Sequence, residues 1–187
     1  MPSAVLFPPN SLKSDLRWWR AMLELPNFTR TLLPRSAIHD PGVWVDACTS
    51  WGIGIIIGHR WAAWKLKDGW KKDGRDIGWA EMIAIELACL YLDTLHFTNM
   101  DVLVRSDNIG VIGAFLKGRS RNFQVNLAIR RTTVVCMSSN LALSPEYVKS
   151  EDNLADPVSR GILGDNDDRL PTLPLLPPEL HPFLSYV

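Results

Sequence analysis

The sequence has no excess of charge of either sign, with 20 basic and 20 acidic residues among 187. No overall positive field can therefore recruit nucleic acid, and such binding must come from local basic segments. Cysteine is scarce: Cys48, Cys89 and Cys136 have no C-x-x-C spacing. This excludes a disulfide framework and indicates a reduced, intracellular protein. The four histidines are scattered, and none has the spacing of a metal-ligand pair.

Long hydrophobic runs are also absent. The longest, near residues 51–57, is far shorter than the ~20 residues that a membrane span needs, so we expect no membrane association. Residues 1–10 contain Pro8-Pro9 and lack the apolar core of a signal peptide. An apolar content of 47% in a chain of this length suits one domain with a substantial core and additional segments at its ends.

Three parts are predicted: an N-terminal appendage at 1–40, a globular domain at 41–161 and a tail at 162–187. In the appendage, Ser14 is the predicted N-cap of a short helix that runs to Leu25 and is stopped by Pro26. The tail is rich in Pro and Asp, so we expect it to be extended against the domain or disordered.

Within the domain, hydrophobic periodicity predicts strands and helices in a mixed order. The predicted strands are 43–48, 53–58, 61–66, 102–106 and 141–148. The predicted helices are 79–94, 109–117, 123–137 and a short one capped by Asp152 or Asn153 and ended by Gly161. Gly52 and Gly54 indicate a close backbone approach or a bulge in the second strand. This order predicts an α/β fold: a five-stranded mixed sheet, with a three-strand antiparallel meander plus parallel strands, flanked by helices.

Four acidic residues lie in different predicted elements: Asp46, Glu81, Asp107 and Asp156. Asp46 interrupts an apolar strand and Asp107 ends another. On the helix at 79–94, the angular positions place Glu81 towards the sheet, while Glu86 lies on the polar face and is predicted to be solvated. A carboxylate in a half-buried strand is unfavourable without a hydrogen-bond partner or a cation. Four such groups brought together indicate a divalent-metal site of the kind that nucleases use.

The chain resembles the RNase H domain of retroelement reverse transcriptases over about residues 12–161. Four segments in the same order carry the resemblance, and the last is similar to an N-x-x-A-D-x-x-S-R ending: 43–54, 79–84, 105–108 and 152–160. Residues 15–19 are similar to the segment that joins polymerase and RNase H in such polyproteins, which implies a polymerase domain in the same polyprotein as a partner.

This resemblance implies an RNase H-like fold and an endoribonuclease that cuts the RNA strand of RNA/DNA hybrids. Two Mg²⁺ ions would be the cofactors, with Mn²⁺ able to substitute. Asp46 would bridge both ions, Glu81 and Asp107 would hold one, and Asp156 would hold the other.

Candidate substrate-binding residues lie near these acids or in basic segments. The candidates for 2′-hydroxyl contacts are Thr49, Ser50 and Asn108. The candidates for phosphate contacts are Lys71, Lys72 and Arg75, together with Lys117, Arg119 and Arg121. Trp70 and Trp79 could stack near the substrate, although core packing is the commoner role of tryptophan.

Some features depart from this family or allow other functions. The loop at 148–152 lacks the histidine that many RNase H enzymes have there, and Lys149 or Glu151 could substitute. An integrase-like triad would use Asp46 and Asp107 with Glu146 or Glu151. An exonuclease would need an acid at position 48, which is Cys48. A non-catalytic, domesticated module that binds nucleic acid or protein is the remaining alternative.

Overall fold

The computed structural model describes residues 10–24 and 37–187. The chain divides into two units, residues 1–32 and 33–187. In the first unit the described element is a helix, α1 (Asn10–Leu23).

Helix α1 begins earlier than the sequence predicts. Ser14 lies inside the helix rather than at its N-cap, and its side chain is exposed. A serine is tolerated inside a helix when its hydroxyl faces water, so Ser14 carries no start signal here. The predicted end at Leu25, the stop at Pro26 and Pro8-Pro9 lie outside the described residues.

The second unit is built on a six-stranded sheet with the order β5-β4-β1-β2-β3-β6. The strands are β1 (His39–Ala47), β2 (Gly52–Ile57), β3 (Arg60–Leu66), β4 (Asp101–Ser106), β5 (Ala142–Tyr147) and β6 (Leu184–Tyr186). Strands β1, β2, β3 and β6 pair antiparallel, whereas β4 runs parallel to both β1 and β5. The prediction of a mixed α/β sheet with an antiparallel meander is confirmed.

Helices cover both faces of the sheet. They are α2 (Ile77–Thr94), α3 (Ile109–Leu116), α4 (Phe123–Ser138) and the one-turn α5 (Asp156–Ser159). Helices α2 and α4 contribute to the main hydrophobic core, together with Val43 and Val45 of β1. On the opposite face, Val158 of α5 packs in a second cluster with Trp61 and Ala63 of β3. The sheet therefore lies between two apolar layers.

The predicted strand count of five is wrong, because the tail supplies β6. Strand β6 pairs with β3, and the tail buries Leu170, Leu180 and Leu184. Three residues are too few to show a period of two, and the prolines around them favour irregular structure. The tail therefore packs along the domain and covers the outer edge of β3.

The prediction that Glu86 is solvated is wrong. Its side chain is 1% exposed, and its two oxygens accept hydrogen bonds from Arg131 of α4 at 2.6 and 2.8 Å. The polar residues of α2 predict that this face of the helix is exposed to water. Helix α4 packs against it instead. The guanidinium of Arg131 provides the countercharge that a buried carboxylate needs.

Trp70 and Trp79 lie in the core, not on a substrate surface. Both are buried, and their rings stack with centroids 5.8 Å apart. Phe183 of the tail meets Trp79 edge-on, and the Arg75 guanidinium lies 4.0 Å from the Phe183 ring centroid. These aromatic rings connect the tail to the start of α2.

Across the part of the chain that the structure describes, none of the helices has the length and apolar character that crossing a lipid bilayer requires.

Candidate metal centre

Asp46 and Asp107 lie side by side because β1 and β4 are adjacent parallel strands. Trp44 of β1 is the register partner of Arg105 of β4. Asp46 lies two residues after Trp44 in β1, and Asp107 lies two residues after Arg105, just past the end of β4, so both fall at the same edge of the sheet. Open α/β sheets bind ligands at this carboxyl edge of parallel strands.

Glu81 joins them from helix α2. Asp76 caps this helix through a 2.9 Å bond that its side chain accepts from the Trp79 backbone N–H. The cap fixes where the helix starts, so Glu81 falls in the second turn, at the end of β1. Its side chain is 5% exposed, as buried as that of Asp46 at 4%.

The three acids form one cluster. Each of Asp46, Glu81 and Asp107 offers a carboxylate oxygen, and these oxygens all lie within 4.8 Å of one another. The cluster could hold a metal ion. Hard divalent cations take such oxygen ligands, and a cation removes the repulsion among three close carboxylates.

The electrostatics of the cluster favour neutral acids in the absence of a cation. Burial raises the pKa of Glu81 to about 9, and the charges of Asp46 and Asp107 add to the effect. Burial also raises the pKa of Asp46 to about 6, against a hydrogen bond from Ser159 that lowers it. At neutral pH without a cation, Glu81 is therefore protonated. Its Oε2 atom is buried and has no hydrogen-bond partner among the residues that the structure describes.

Asp156, the fourth predicted ligand, is close to this cluster but is not one of the three acids that compose it. Its charge raises the pKa of Asp46, which places it near that residue. Its own carboxylate accepts hydrogen bonds from Arg160 Nε and Nη2 at 2.8–2.9 Å. The Arg160 side chain is mostly exposed, so this pair is open to water.

Three further side chains contact the acids, and the sequence assigned none of them a role in the site. Asn153 is predicted from the sequence only as a helix cap, as is Asp152, and that prediction is wrong, because the N-cap of α5 is Ala155. Ser159 of α5 donates to Asp46, and Ser150 donates to Asp107. Asn153, only 3% exposed, points its amide at the Val45 carbonyl beside Asp46. Ser159 is a letter of the N-x-x-A-D-x-x-S-R pattern, and this spacing was the available signal for it. The first letter of the pattern falls on Asp152, so the pattern carries no signal for Asn153.

The residues predicted to contact 2′-hydroxyls lie near the cluster. Thr49 and Ser50 are exposed in the turn that follows Asp46. Asn108 caps α3 by accepting a bond from the Val111 N–H, and a hydrogen bond from its side chain lowers the pKa of Glu81. Asn108 is therefore at the cluster itself.

The predicted phosphate contacts fall into two groups. Exposed side chains are those of Lys71, Lys72, Lys117, Arg119 and Arg121. Arg75 differs, because its side chain is 8% exposed and bonds to the Trp70 carbonyl and to Asp73. Its guanidinium is engaged within the fold.

The two basic segments meet in space. The side-chain amide of Asn122, which also caps α4, donates to the Gly74 carbonyl at 2.6 Å. This bond ties the loop carrying Lys71 and Lys72 to the turn carrying Arg119 and Arg121. Two charge runs that are separate in sequence are therefore in contact, and we call them together the basic loops (residues 67–76 and 117–122).

The glutamates that an integrase-like triad would use lie outside the carboxylate cluster. Glu146 is exposed at the edge strand β5, and Glu151 is exposed and 3.5 Å from Lys149. Neither belongs to the carboxylate cluster that the described residues form. Cys48 follows Asp46 by two residues, and its thiol contacts Ser50.

Comparison of the sequence with protein-family models and with curated proteins gave no match.

Proposed function

We propose that this chain is a metal-dependent endoribonuclease with an RNase H-like fold that hydrolyses the RNA strand of RNA/DNA hybrids. The observation that carries the proposal is the buried Glu81 Oε2, which has no partner within residues 10–24 and 37–187, beside Asp46 and Asp107. A buried acceptor left unbonded is unfavourable, and a cation in the cluster would satisfy it.

The topology supports the RNase H-like assignment. The proposal expects an antiparallel meander (β1, β2, β3), a crossover helix, and then two strands added parallel to β1 on its other side. The strand order β5-β4-β1-β2-β3 fits that description, and β6 adds to the outer edge of β3. The carboxylates then come from β1, α2 and the end of β4.

In the proposed site, Asp46, Glu81 and Asp107 would hold one Mg²⁺, and Asp46 with Asp156 would hold a second. Mn²⁺ can replace either ion. When bound, such ions lower the pKa of an attacking water and stabilise the leaving oxygen. Asp46 belongs to the cluster with Glu81 and Asp107 and also senses the charge of Asp156, which would suit it for contact with both ions. Asp156 becomes available when Arg160 releases it, and the exposure of that pair permits the release.

The protein's own residues would provide the contacts that bind the hybrid. Thr49 and Ser50, exposed in the turn after Asp46, and Asn108, which hydrogen-bonds Glu81, would offer donors and acceptors to 2′-hydroxyls. The exposed side chains of the basic loops offer contacts to phosphates. Because the net charge of the chain is zero, these local contacts must provide the electrostatic attraction.

A fluorescently labelled RNA/DNA hybrid tests the proposal. We expect cleavage of the RNA strand with Mg²⁺ and none with EDTA. Asp107→Asn should lower the rate by at least about a hundredfold, because it removes a charged ligand. Glu146→Gln is the matched control: it removes an exposed acid outside the cluster and should leave the rate unchanged. Loss of activity in Glu146→Gln with full activity in Asp107→Asn would refute the assignment.

A second candidate is a module that binds hybrid without cutting it. The engagement of Asp156 by Arg160 favours it, since that bond keeps the fourth acid from a cation. Under this reading the wild-type protein shifts the labelled hybrid in a binding assay but leaves it intact at every Mg²⁺ and Mn²⁺ concentration.

A further inference from the structure

Asp46 is held in place by a short segment from the other end of the domain, residues 153–159. We infer that Ser159 and Asn153 are positioning residues that fix the Asp46 carboxylate for a divalent cation. This inference rests on the proposed function, because it assigns these residues to the same site. It concerns residues that touch Asp46 and not the substrate.

The segment reaches Asp46 because Gly54 has no side chain. Gly54 of β2 is the register partner of Asp46 on β1. A Cβ atom at position 54 would lie 2.5 Å from the Ser159 backbone nitrogen and 2.8 Å from the Ala155 carbonyl oxygen. Only glycine allows the backbone of α5 to rest directly on the sheet at this point. The close approach that Gly54 predicts from the sequence is thereby confirmed and placed next to Asp46.

Asn153 anchors the start of this segment. Its Nδ2 donates to the Val45 carbonyl at 3.1 Å and lies 3.5 Å from Asp46 Oδ1. Its Oδ1 accepts a 3.1 Å bond from the Ala155 N–H. One buried side chain therefore bonds both to β1 beside Asp46 and to the turn that leads into α5. The position of α5 relative to Asp46 is fixed at its first residues.

Ser159 completes the hold at the other end of α5. Its hydroxyl donates to Asp46 Oδ2, and it lies 2.9 Å from the Asp156 carbonyl oxygen. Ser159 is fully buried, so water cannot replace this donor. Contacts at both oxygens restrict the rotation of the carboxylate, so little ordering remains to be done when a cation binds. Mutation of a residue that orients a metal ligand in this way typically weakens metal affinity 10–100-fold.

The test measures Mn²⁺ affinity directly, from the electron paramagnetic resonance signal of free Mn²⁺. We expect Ser159→Ala and Asn153→Ala each to weaken binding by roughly 10–100-fold. The matched control is Thr132→Val, which removes a fully buried hydroxyl bonded to the Ala128 carbonyl in α4, away from the acids. It should bind Mn²⁺ as the wild type does. Circular dichroism confirms that each variant is folded at the temperature used.

A rescue experiment separates positioning from a general structural role. If Ser159 only positions Asp46, hybrid cleavage by Ser159→Ala should return towards the wild-type rate at saturating Mn²⁺. A folded Ser159→Ala protein with wild-type Mn²⁺ affinity would overturn the inference and leave the proposed function standing.

Failure of the proposed function can also be distinguished from failure of the positioning role. A wild-type protein that binds Mn²⁺ but never cleaves hybrid would refute the proposed function. The affinities of the variants would still decide the role of Ser159 and Asn153. Wild-type protein that binds no Mn²⁺ would overturn both.

Discussion

Two glutamates on helix α2, five residues apart, should respond to the same substitution in opposite directions. Glu81 is buried among other acids, with one oxygen that has no partner. Glu86 is equally buried but forms a two-bond ion pair with Arg131. We predict that, without a cation, Glu81→Gln stabilises the protein and Glu86→Gln destabilises it.

The size of the stabilisation expected for Glu81→Gln follows from the pKa of Glu81 in the folded and unfolded states. The pKa is about 9 in the folded protein, against the usual 4.5 of glutamate. The folded state therefore binds the proton more tightly than the unfolded state. Stability from this group is complete below pH 4.5 and is lost as the pH rises towards 9. At pH 7, the free energy of unfolding is reduced by about 3 kcal/mol, and glutamine at position 81 should restore roughly 2–3 kcal/mol.

The loss for Glu86 has a different cause. Glu86→Gln weakens a pair of charge-assisted hydrogen bonds and leaves the Arg131 guanidinium without a countercharge. Burial raises the pKa of Glu86 in spite of Arg131, and this offsets part of the loss. Because the variant leaves the Arg131 charge without its partner, we still expect a decrease of roughly 1–3 kcal/mol in the free energy of unfolding.

Urea unfolding in EDTA, followed by circular dichroism, measures both effects. Wild-type stability should fall between about pH 5 and about pH 8, and Glu81→Gln should remove most of that fall. Adding Mg²⁺ should stabilise the wild type and leave Glu81→Gln nearly unchanged, because the variant lacks a ligand. Unfolding of Glu81→Gln at a lower urea concentration than the wild type at the higher pH would contradict a destabilising buried charge at Glu81.

Two further predictions concern protons and salt. Mn²⁺ affinity should rise with pH from below 6 to about 9, because the cation displaces protons from Asp46 and Glu81; calorimetry in two buffers counts the protons released, and a pH-independent affinity would contradict this. Replacing both Lys71 and Lys72 by Ala should weaken hybrid binding and lower the salt slope by roughly 2. Fluorescence anisotropy over a salt series measures this, and an unchanged slope would remove these lysines from the interface.

The elements of the sheet could be predicted because their signals are local. The apolar run of β1, the glycines of β2 and the periodicity of α2 each depend on neighbouring residues only. The antiparallel meander follows from short turns, and the parallel β4 follows from a helical crossover. Strand β6 could not be predicted, since its pairing depends on a partner about 120 residues earlier in the chain.

The three acids of the candidate site could be predicted from their residue types and from the angular position of Glu81 on its helix. Asp46 and Asp107 interrupt or end apolar strands, and Glu81 faces the sheet, so their convergence could be expected. The environment of Glu86 was mispredicted because a helical projection assigns a charged residue to water. Its partner, Arg131, lies on a different helix, and only the packing of α4 on α2 reveals it.

The partners of the acids were hidden for similar reasons. Ser159 bonds to a residue 113 positions away, and no local pattern shows that contact. The Asp156–Arg160 pair is different: its spacing of four residues is the usual one for an ion pair on a helix and could have been recognised. In this structure Asp156 therefore bonds to Arg160 and not to the cation that the resemblance to RNase H implies for it.

The most direct test of the metal centre is anomalous diffraction from crystals soaked in Mn²⁺. We expect a peak bound by carboxylate oxygens of Asp46, Glu81 and Asp107 at about 2 Å, the distance usual for a small divalent cation. A second peak shared by Asp46 and Asp156, with Arg160 displaced, would complete the proposed pair. A fully soaked crystal with no anomalous density at Asp46 would contradict the assignment of this cluster as a metal centre.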